Sequence, residues 1–262
     1  MKKRMMLLLL ACLMLVLSAC AGKKSKMTQI LARNDGAGEL RVGVKIDVPN
    51  FGYLDPETGD LEGLEIDLAR EMAEAILDDR NAVQFVPTTG MAKEALLANG
   101  EADLIIGTYT ITDERRKVVH FSRPYYTDEI GFLVLSNSGM QSISDLKGKT
   151  IGVTRASTAF ATFDKHPELI GNDFTLRGFV SYPEIQYALL SGTIDVFSAD
   201  KSILSGYNTA NTVILADGVQ PQPYGIGSII SDKTFADAVD QILADLIESG
   251  TMDDILAKWM KE

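Results

Sequence analysis

The phrase Ala95-Leu96-Leu97-Ala98-Asn99-Gly100-Glu101-Ala102-Asp103 returns as Ala188-Leu189-Leu190-Ser191-Gly192-Thr193-Ile194-Asp195. In each, a helix ends, a glycine caps it and a strand begins. The match is one residue out of register, so it is either a repeat or the same capping chemistry used twice. Both readings put a helix before a strand at matching places in two halves of the chain. Such alternation builds α/β layers, and 262 residues hold two modest lobes with a core each. The expected fold class is α/β, with two similar lobes and a cleft between them.

Hydrophobic periodicity fills in the elements. Leu40, Val42, Val44, Ile46 and Val48 share one face of a strand over 40–48, with Arg41, Gly43, Lys45 and Asp47 on the other. Asp55-Pro56-Glu57-Thr58-Gly59-Asp60 is a turn cluster. A helix over 64–77 presents Leu64, Leu68, Met72 and Ile76. Further strands are expected at 83–86, 103–108 and 129–135, with a helix over 88–97. After Ser136-Asn137-Ser138-Gly139 the pattern restarts with strands at 150–154, 174–180 and 194–200. Helices are expected at 157–163, 181–190, 201–206, 235–247 and 252–259. Ser181-Tyr182-Pro183-Glu184 reads as a capping box. Residues 220–230 read as a return crossing, and Trp259 as a packing anchor.

The first 20 residues read as an export signal. Lys2-Lys3-Arg4 precede an apolar run, Met5 to Leu17, too short to span a bilayer comfortably. The run ends Leu17-Ser18-Ala19-Cys20, which resembles the bacterial lipobox. An acylated Cys20 would anchor the protein to the lipid bilayer outside the cytoplasmic membrane, in the cell envelope. Cys12 leaves with the signal, so no thiol remains for a disulfide or metal. His120 and His166 match no ligand spacing, and no cofactor is expected. Residues 21–38 are expected as a tether, with Lys23, Lys24 and Lys26 either touching head groups or solvated, and one or two helical turns over Met27 to Arg33 that Asn34-Asp35-Gly36 breaks. Without the signal, 22 basic side chains face 36 acidic ones, a formal −14. That charge gives no reason to bind nucleic acid.

Chemistry-bearing residues gather just past the expected strand ends. They are Lys45; Lys93; Thr108, Thr110 and Arg115; then Arg155, Ser157, Thr158 and Asp200. In open α/β sheets that edge lines the ligand cleft. Arg115 offers a planar fork for a carboxylate. Ser157 and Thr158 open a helix whose free N–H groups favour an anion. Asp200 faces these cations and suits an ammonium, or caps the helix after it. Arg115 alternatively pairs with Asp113 or Glu114, and Lys45 is alternatively solvated. Taken together the set fits a zwitterion, with Lys45 and Lys93 as surplus positive charge for a second carboxylate.

Three phrases carry a resemblance: Gly63-Leu64-Glu65-Ile66-Asp67-Leu68-Ala69; Ile111-Thr112-Asp113-Glu114-Arg115 with Phe121-Ser122-Arg123-Pro124-Tyr125-Tyr126; and Asp195-Val196-Phe197-Ser198-Ala199-Asp200-Lys201. Over nearly all of 38–262 the chain resembles the bacterial extracellular solute-binding proteins of polar amino-acid ABC importers. It is most similar there to the aspartate- and glutamate-binding members. The resemblance implies two lobes joined by two hinge strands that close on ligand. It implies lobe 1 over 39–134 and 226–262, and lobe 2 over 135–225. It implies Arg115, helped by Thr110 and Thr158, on the α-carboxylate, and Asp200 on the α-ammonium. Lys45, Lys93, Tyr182 and Tyr224 match positions that acidic-ligand members use. Lys93 replaces the family's usual arginine there, Leu64 replaces a common phenylalanine, and Val48 a stacking aromatic for which Phe51 or Tyr53 compensates. Arg155 has no place in this scheme beyond a solvent-facing loop.

The implied function is a monomeric, lipid-anchored binding protein that delivers glutamate or aspartate to membrane permease subunits. The alternatives are glutamine or another polar amino acid, and a dehydratase-type enzyme on the same fold. An enzyme needs a general acid in the cleft, and Asp200 already has a partner role.

Overall fold

The computed structural model describes residues 25–260. The expected export signal and Cys20 lie outside the described residues. The chain opens with helix α1 (Lys26–Leu31), then strand β1 (Leu40–Val44). A small meander follows: β2 (Asp47–Val48), β3 (Gly52–Leu54) and β4 (Leu61–Glu62). Next come α2 (Leu64–Leu77), β5 (Val83–Pro87), α3 (Lys93–Asn99) and β6 (Leu104–Ile105). The long strand β7 (Val119–Leu135) leads to β8 (Lys149–Thr154), α4 (Thr158–Lys165), β9 (Phe174–Phe179) and α5 (Tyr182–Leu190). Then β10 (Val196–Asp200), α6 (Lys201–Tyr207) and β11 (Thr212–Ile214) return the chain to β12 (Val219–Ile229), α7 (Lys233–Glu248) and α8 (Thr251–Trp259).

The main sheet runs β5-β1-β6-β12-β7-β10-β8-β9, with β11 also on β7. Two parallel trios occupy its ends. In one, β1 pairs with β5 and β6; in the other, β8 pairs with β10 and β9. Between them lie the long antiparallel strands β7 and β12, which pair with each other over most of their length. The chain thus crosses from one trio to the other twice. Parallel strands need crossover helices on their faces, so both faces are buried. That is why Gly43 is buried although alternation puts it on a second face; Lys45, just past the end of β1, is buried beside Asp47.

Apolar periodicity explains the packing. Leu64, Leu68 and Met72 of α2 are fully buried against Val42, Val44 and the terminal helices α7 and α8. Gly63 precedes α2 with φ 132°, and a side chain there would sit 2.1 Å from the Phe51 carbonyl oxygen. A second cluster gathers Ile130, Phe132, Val134, Ile151, Val153 and Phe163. The expected lobe boundaries, 134/135 and 225/226, fall inside β7 and β12. Because Ile130 and Phe132 pack in the second cluster, we place the first crossing earlier, near Thr127, as a proposal.

Several expectations need correction. Residues 26–38 are not a free tether. Lys26 is 5% exposed, Ile30 is fully buried, and Arg33 grips Asp103. Strand 129–135 begins ten residues earlier, at Val119; Pro124 sits within it at a register shift, where Tyr224 and Gly225 pair with Tyr126 and Pro124. The helix expected from residue 88 starts at Lys93, after a turn in which the Ala92 N–H bonds the Thr89 carbonyl. The capping box at Ser181 does not form: its side chain makes no cap bond, and Glu184 accepts instead from the Val180 N–H at 3.2 Å. Trp259 is a packing anchor whose indole N–H also donates to Asp67 at 2.7 Å.

Candidate functional site

The carboxyl ends of both parallel trios face one another across a cleft of about 540 Å³, open solvent included. Nine of the ten expected site residues line it: Lys45, Lys93, Thr108, Thr110, Arg115, Ser157, Thr158, Tyr182 and Asp200. Tyr224 does not. It is fully buried behind Asp200, to which its hydroxyl donates. Arg155 is outside the lining and exposed, with its Nε on the Gly178 carbonyl at 3.3 Å.

Each charged side chain is held by its own stretch of chain. Lys45 follows β1, and its Nζ lies 2.8 Å from Asp47 Oδ1 and 5.2 Å from the Tyr182 ring centroid. Its charge is therefore partnered rather than surplus. Lys93, the first residue of α3, donates to the Gly107 carbonyl at 2.6 Å and the Thr108 carbonyl at 3.3 Å. Burial, then the Arg115 and Lys45 charges, push its ammonium down to about 7. Thr108 sits at φ 42°, a left-handed conformation that a β-branched residue adopts only under constraint. The constraint is Glu65, which accepts its backbone N–H.

Arg115 donates to the Thr110 carbonyl at 2.7 Å and reaches across the cleft to the Ala156 carbonyl at 3.4 Å. Its guanidinium lies 4.9 Å from the centroid of the Tyr109 ring, which Lys93 also faces, at 4.8 Å. Neither Asp113 nor Glu114 holds it; Glu114 lies 3.8 Å from Lys165 instead. Thr110 forms an isolated bridge to Tyr224 of β12, which fixes its loop to the crossing strands. On the far wall Ser157 caps α4, its Oγ accepting from the Phe160 N–H at 3.1 Å. Tyr182 stacks on Phe197 with centroids 6.1 Å apart.

Asp200 stands at the N-cap position of α6 but makes no side-chain cap bond, so its carboxylate is turned to the cleft and to Tyr224. Burial pushes its carboxyl up to about 7, against the Tyr224 hydroxyl, while the Asp128 charge adds to the rise. The resulting walls differ in sign. Lys45, Lys93 and Arg115 stand on one side and Asp200 on the other, an arrangement that can hold a molecule with separated opposite charges.

Sequence reasoning missed Glu65. It is fully buried on α2, accepts from the Thr108 N–H and the Tyr125 hydroxyl, and lies behind the lining. An acid between the buried Leu64 and Ile66 was the available signal. It reads there as a favourable charge at a helix N-terminus. Thr154, Ser198 and Val180 also line the cleft unanticipated.

The chain is similar to known proteins over most of its length. The model of the bacterial extracellular solute-binding proteins, family 3, matches residues 40–262. A glutamine-binding protein of Geobacillus stearothermophilus is 36% identical over 211 residues, 79% of each chain. The ABC transporter glutamine-binding protein GlnH of Bacillus subtilis is 33% identical over 246 residues, 92% of this chain and 88% of that one. The glutamate-binding protein GluB of Corynebacterium efficiens is 28% identical over 240 residues, 86% of this chain and 80% of that one. The solved structure of an ancestral arginine-binding protein bound to arginine superposes with a TM-score of 0.76 at 30% identity, covering 85% of this chain and 98% of that one. With its two parallel trios, its paired crossing strands and its cleft at their carboxyl ends, this chain belongs to family 3 of the bacterial extracellular solute-binding proteins.

Proposed function

We propose that the protein captures an acidic L-amino acid, glutamate or aspartate, and delivers it to the membrane subunits of an ABC importer. The observation that supports this is the charge left on the cleft lining once Lys45 is matched by Asp47: among the described residues Lys93 and Arg115 face Asp200, one cation more than the two ends of an amino acid use. In this reading Arg115 holds the α-carboxylate, with Thr110 and Thr158 beside it. Asp200 holds the α-ammonium, positioned by Tyr224 from behind. Lys93 reads the side chain, with Lys45 and Tyr182 closing that end. Ligand charges bridge groups on both lobes, so binding favours the closed form. We further propose anchoring through an acylated Cys20 in the cell envelope.

A second reading, glutamine, is favoured by the two glutamine-binding relatives. Thermal shift with each of the twenty amino acids separates the two. At a thousandfold excess over Kd, a ligand of the native state stabilises by about 4 kcal/mol. Glutamate or aspartate is expected to raise Tm and lysine and arginine to leave it unchanged. A rise with glutamine alone selects the second reading, and a rise with arginine or lysine alone overturns both.

A further inference from the structure

We propose that Glu65 is a specificity-determining residue that acts through Lys93 without touching the ligand: protonated, it leaves the Lys93 charge unbalanced and the pocket takes an acidic side chain; ionised, it balances Lys93 and the pocket takes an amide. This rests on the zwitterion-binding reading above.

The charge count around the cleft leads here. Arg115 and Asp200 are matched by the two ends of an amino acid. Lys45 has Asp47 at 2.8 Å. Glu94, partly exposed on α3, is engaged by the Tyr109 hydroxyl at 2.6 Å. Lys93 remains. Two of its three N–H groups have acceptors in the Gly107 and Thr108 carbonyls, which leaves one to present to the cleft. The acid behind Lys93 shares a peptide with it: Lys93 donates to the Thr108 carbonyl, and Glu65 accepts the Thr108 N–H.

Glu65 is built to change state. The groups facing it are the Thr108 N–H, the Tyr125 hydroxyl on β7, Lys93 on α3 and Lys45 after β1. Both hydrogen bonds fall on Oε1; Oε2 is buried with no hydrogen-bond partner among the described residues. A buried carboxylate with one bare oxygen is costly, whereas the neutral acid places its proton there. Burial accordingly raises its pKa, while the Tyr125 hydroxyl, the Thr108 N–H and the two lysines oppose the rise. The acid is suspended between these influences, one residue from the cleft surface.

The test measures affinity for glutamate and for glutamine by calorimetry from about pH 5 to about pH 9, in the wild type, Glu65→Gln and Tyr125→Phe. The wild-type preference for glutamate over glutamine is expected to fall at least about tenfold across that range. Lys93 losing its own proton also lowers the preference, and ionised Glu65 delays that loss, so the midpoints of the wild type and of a variant that cannot ionise there are compared. Glu65→Gln cannot ionise and is expected to move the midpoint up by at least about one pH unit. Tyr125→Phe removes one donor to the carboxylate and moves it the same way by a smaller step. Coincident profiles in the wild type and Glu65→Gln, or a flat wild-type profile, overturn the proposal. If Glu65→Gln does not fold, an unmoved midpoint in Tyr125→Phe overturns it. A wild type that prefers glutamine at every pH defeats the acidic-ligand reading, while the difference in slope between wild type and Glu65→Gln still decides the role of Glu65.

Discussion

The two ends of β6 treat buried acids in opposite ways. At its amino end Asp103 is fully buried and over-supplied with partners: two guanidinium nitrogens of Arg33, the Arg41 N–H at 2.9 Å and the Lys26 ammonium at 3.3 Å. Those donors outweigh burial and hold its carboxyl below the usual range. Across the carboxyl ends, Glu65 and Asp200 are as deeply buried but under-supplied, each with phenol or amide donors only, and burial raises both. Fully satisfied charge at one end fixes the N-terminal segment to the lobe. Unsatisfied charge at the other end keeps groups ready for a ligand.

Removing Asp103 should give the largest effect. Asp103→Ala strands Lys26 and Arg33, whose side chains are 6% and 19% exposed, beside a small cavity. Breaking one partner of a buried pair costs about 3–5 kcal/mol, read as a shift of the urea midpoint. Ligand affinity should hold, since Asp103 lies at the opposite strand ends. A loss under about 1 kcal/mol would show that the N-terminal segment is not clamped there.

Asp200→Asn should invert that result. It keeps the shape and removes, among the described residues, the acid lining the cleft. Amino-acid affinity should drop by at least about 30-fold, since truncating one partner of a buried charge pair costs 2 kcal/mol or more. Stability without ligand at pH 8 should rise by about 1 kcal/mol, because an under-partnered buried charge is gone. Loss of both affinity and stability would make Asp200 a structural acid like Asp103 and erase the contrast.

How much of this was legible follows from the same contrast. The strand ends at Thr108 and Asp200 were readable because apolar runs stop there, and the strand-end rule placed them on one cleft; at Lys45 the alternation runs on to Val48 although β1 ends at Val44. Local patterning did not give Asp103 or Glu65 their roles. Asp103 meets Arg33, 70 residues away, and Glu65 meets Tyr125, 60 away. Such pairings depend on tertiary approach, which no window of sequence reports. The same limit made Lys26 read as touching head groups or solvated, and Tyr224 as a cleft residue. Ser181 failed as a cap although the motif was present, because Glu184 bonds one residue earlier, at Val180. The start of β7 was hidden by Ser122, Arg123 and Pro124, polar or strand-breaking residues that the crossing accommodates.

Tyr224→Phe should have the smallest effect and tests whether the donors at the functional end are expendable. The phenol donates to Asp200 and opposes the rise of its carboxyl. Because the folded value, about 7, lies above the ordinary 3.8, the native state holds the proton more tightly than the unfolded chain. The stability this contributes is complete below pH 3.8 and is lost as pH rises through about 7. Deleting the donor raises the folded value further. Stability near pH 5, where Asp200 is protonated, should then change little, while near pH 8 the ionised acid lacks its one phenol and about 1 kcal/mol is lost. Urea unfolding at the two pH values measures the difference. An equal loss at both would mean that the phenol anchors packing among Phe51, Tyr125 and Tyr126, whose rings lie 5.8–6.3 Å from its own, rather than the charge of Asp200.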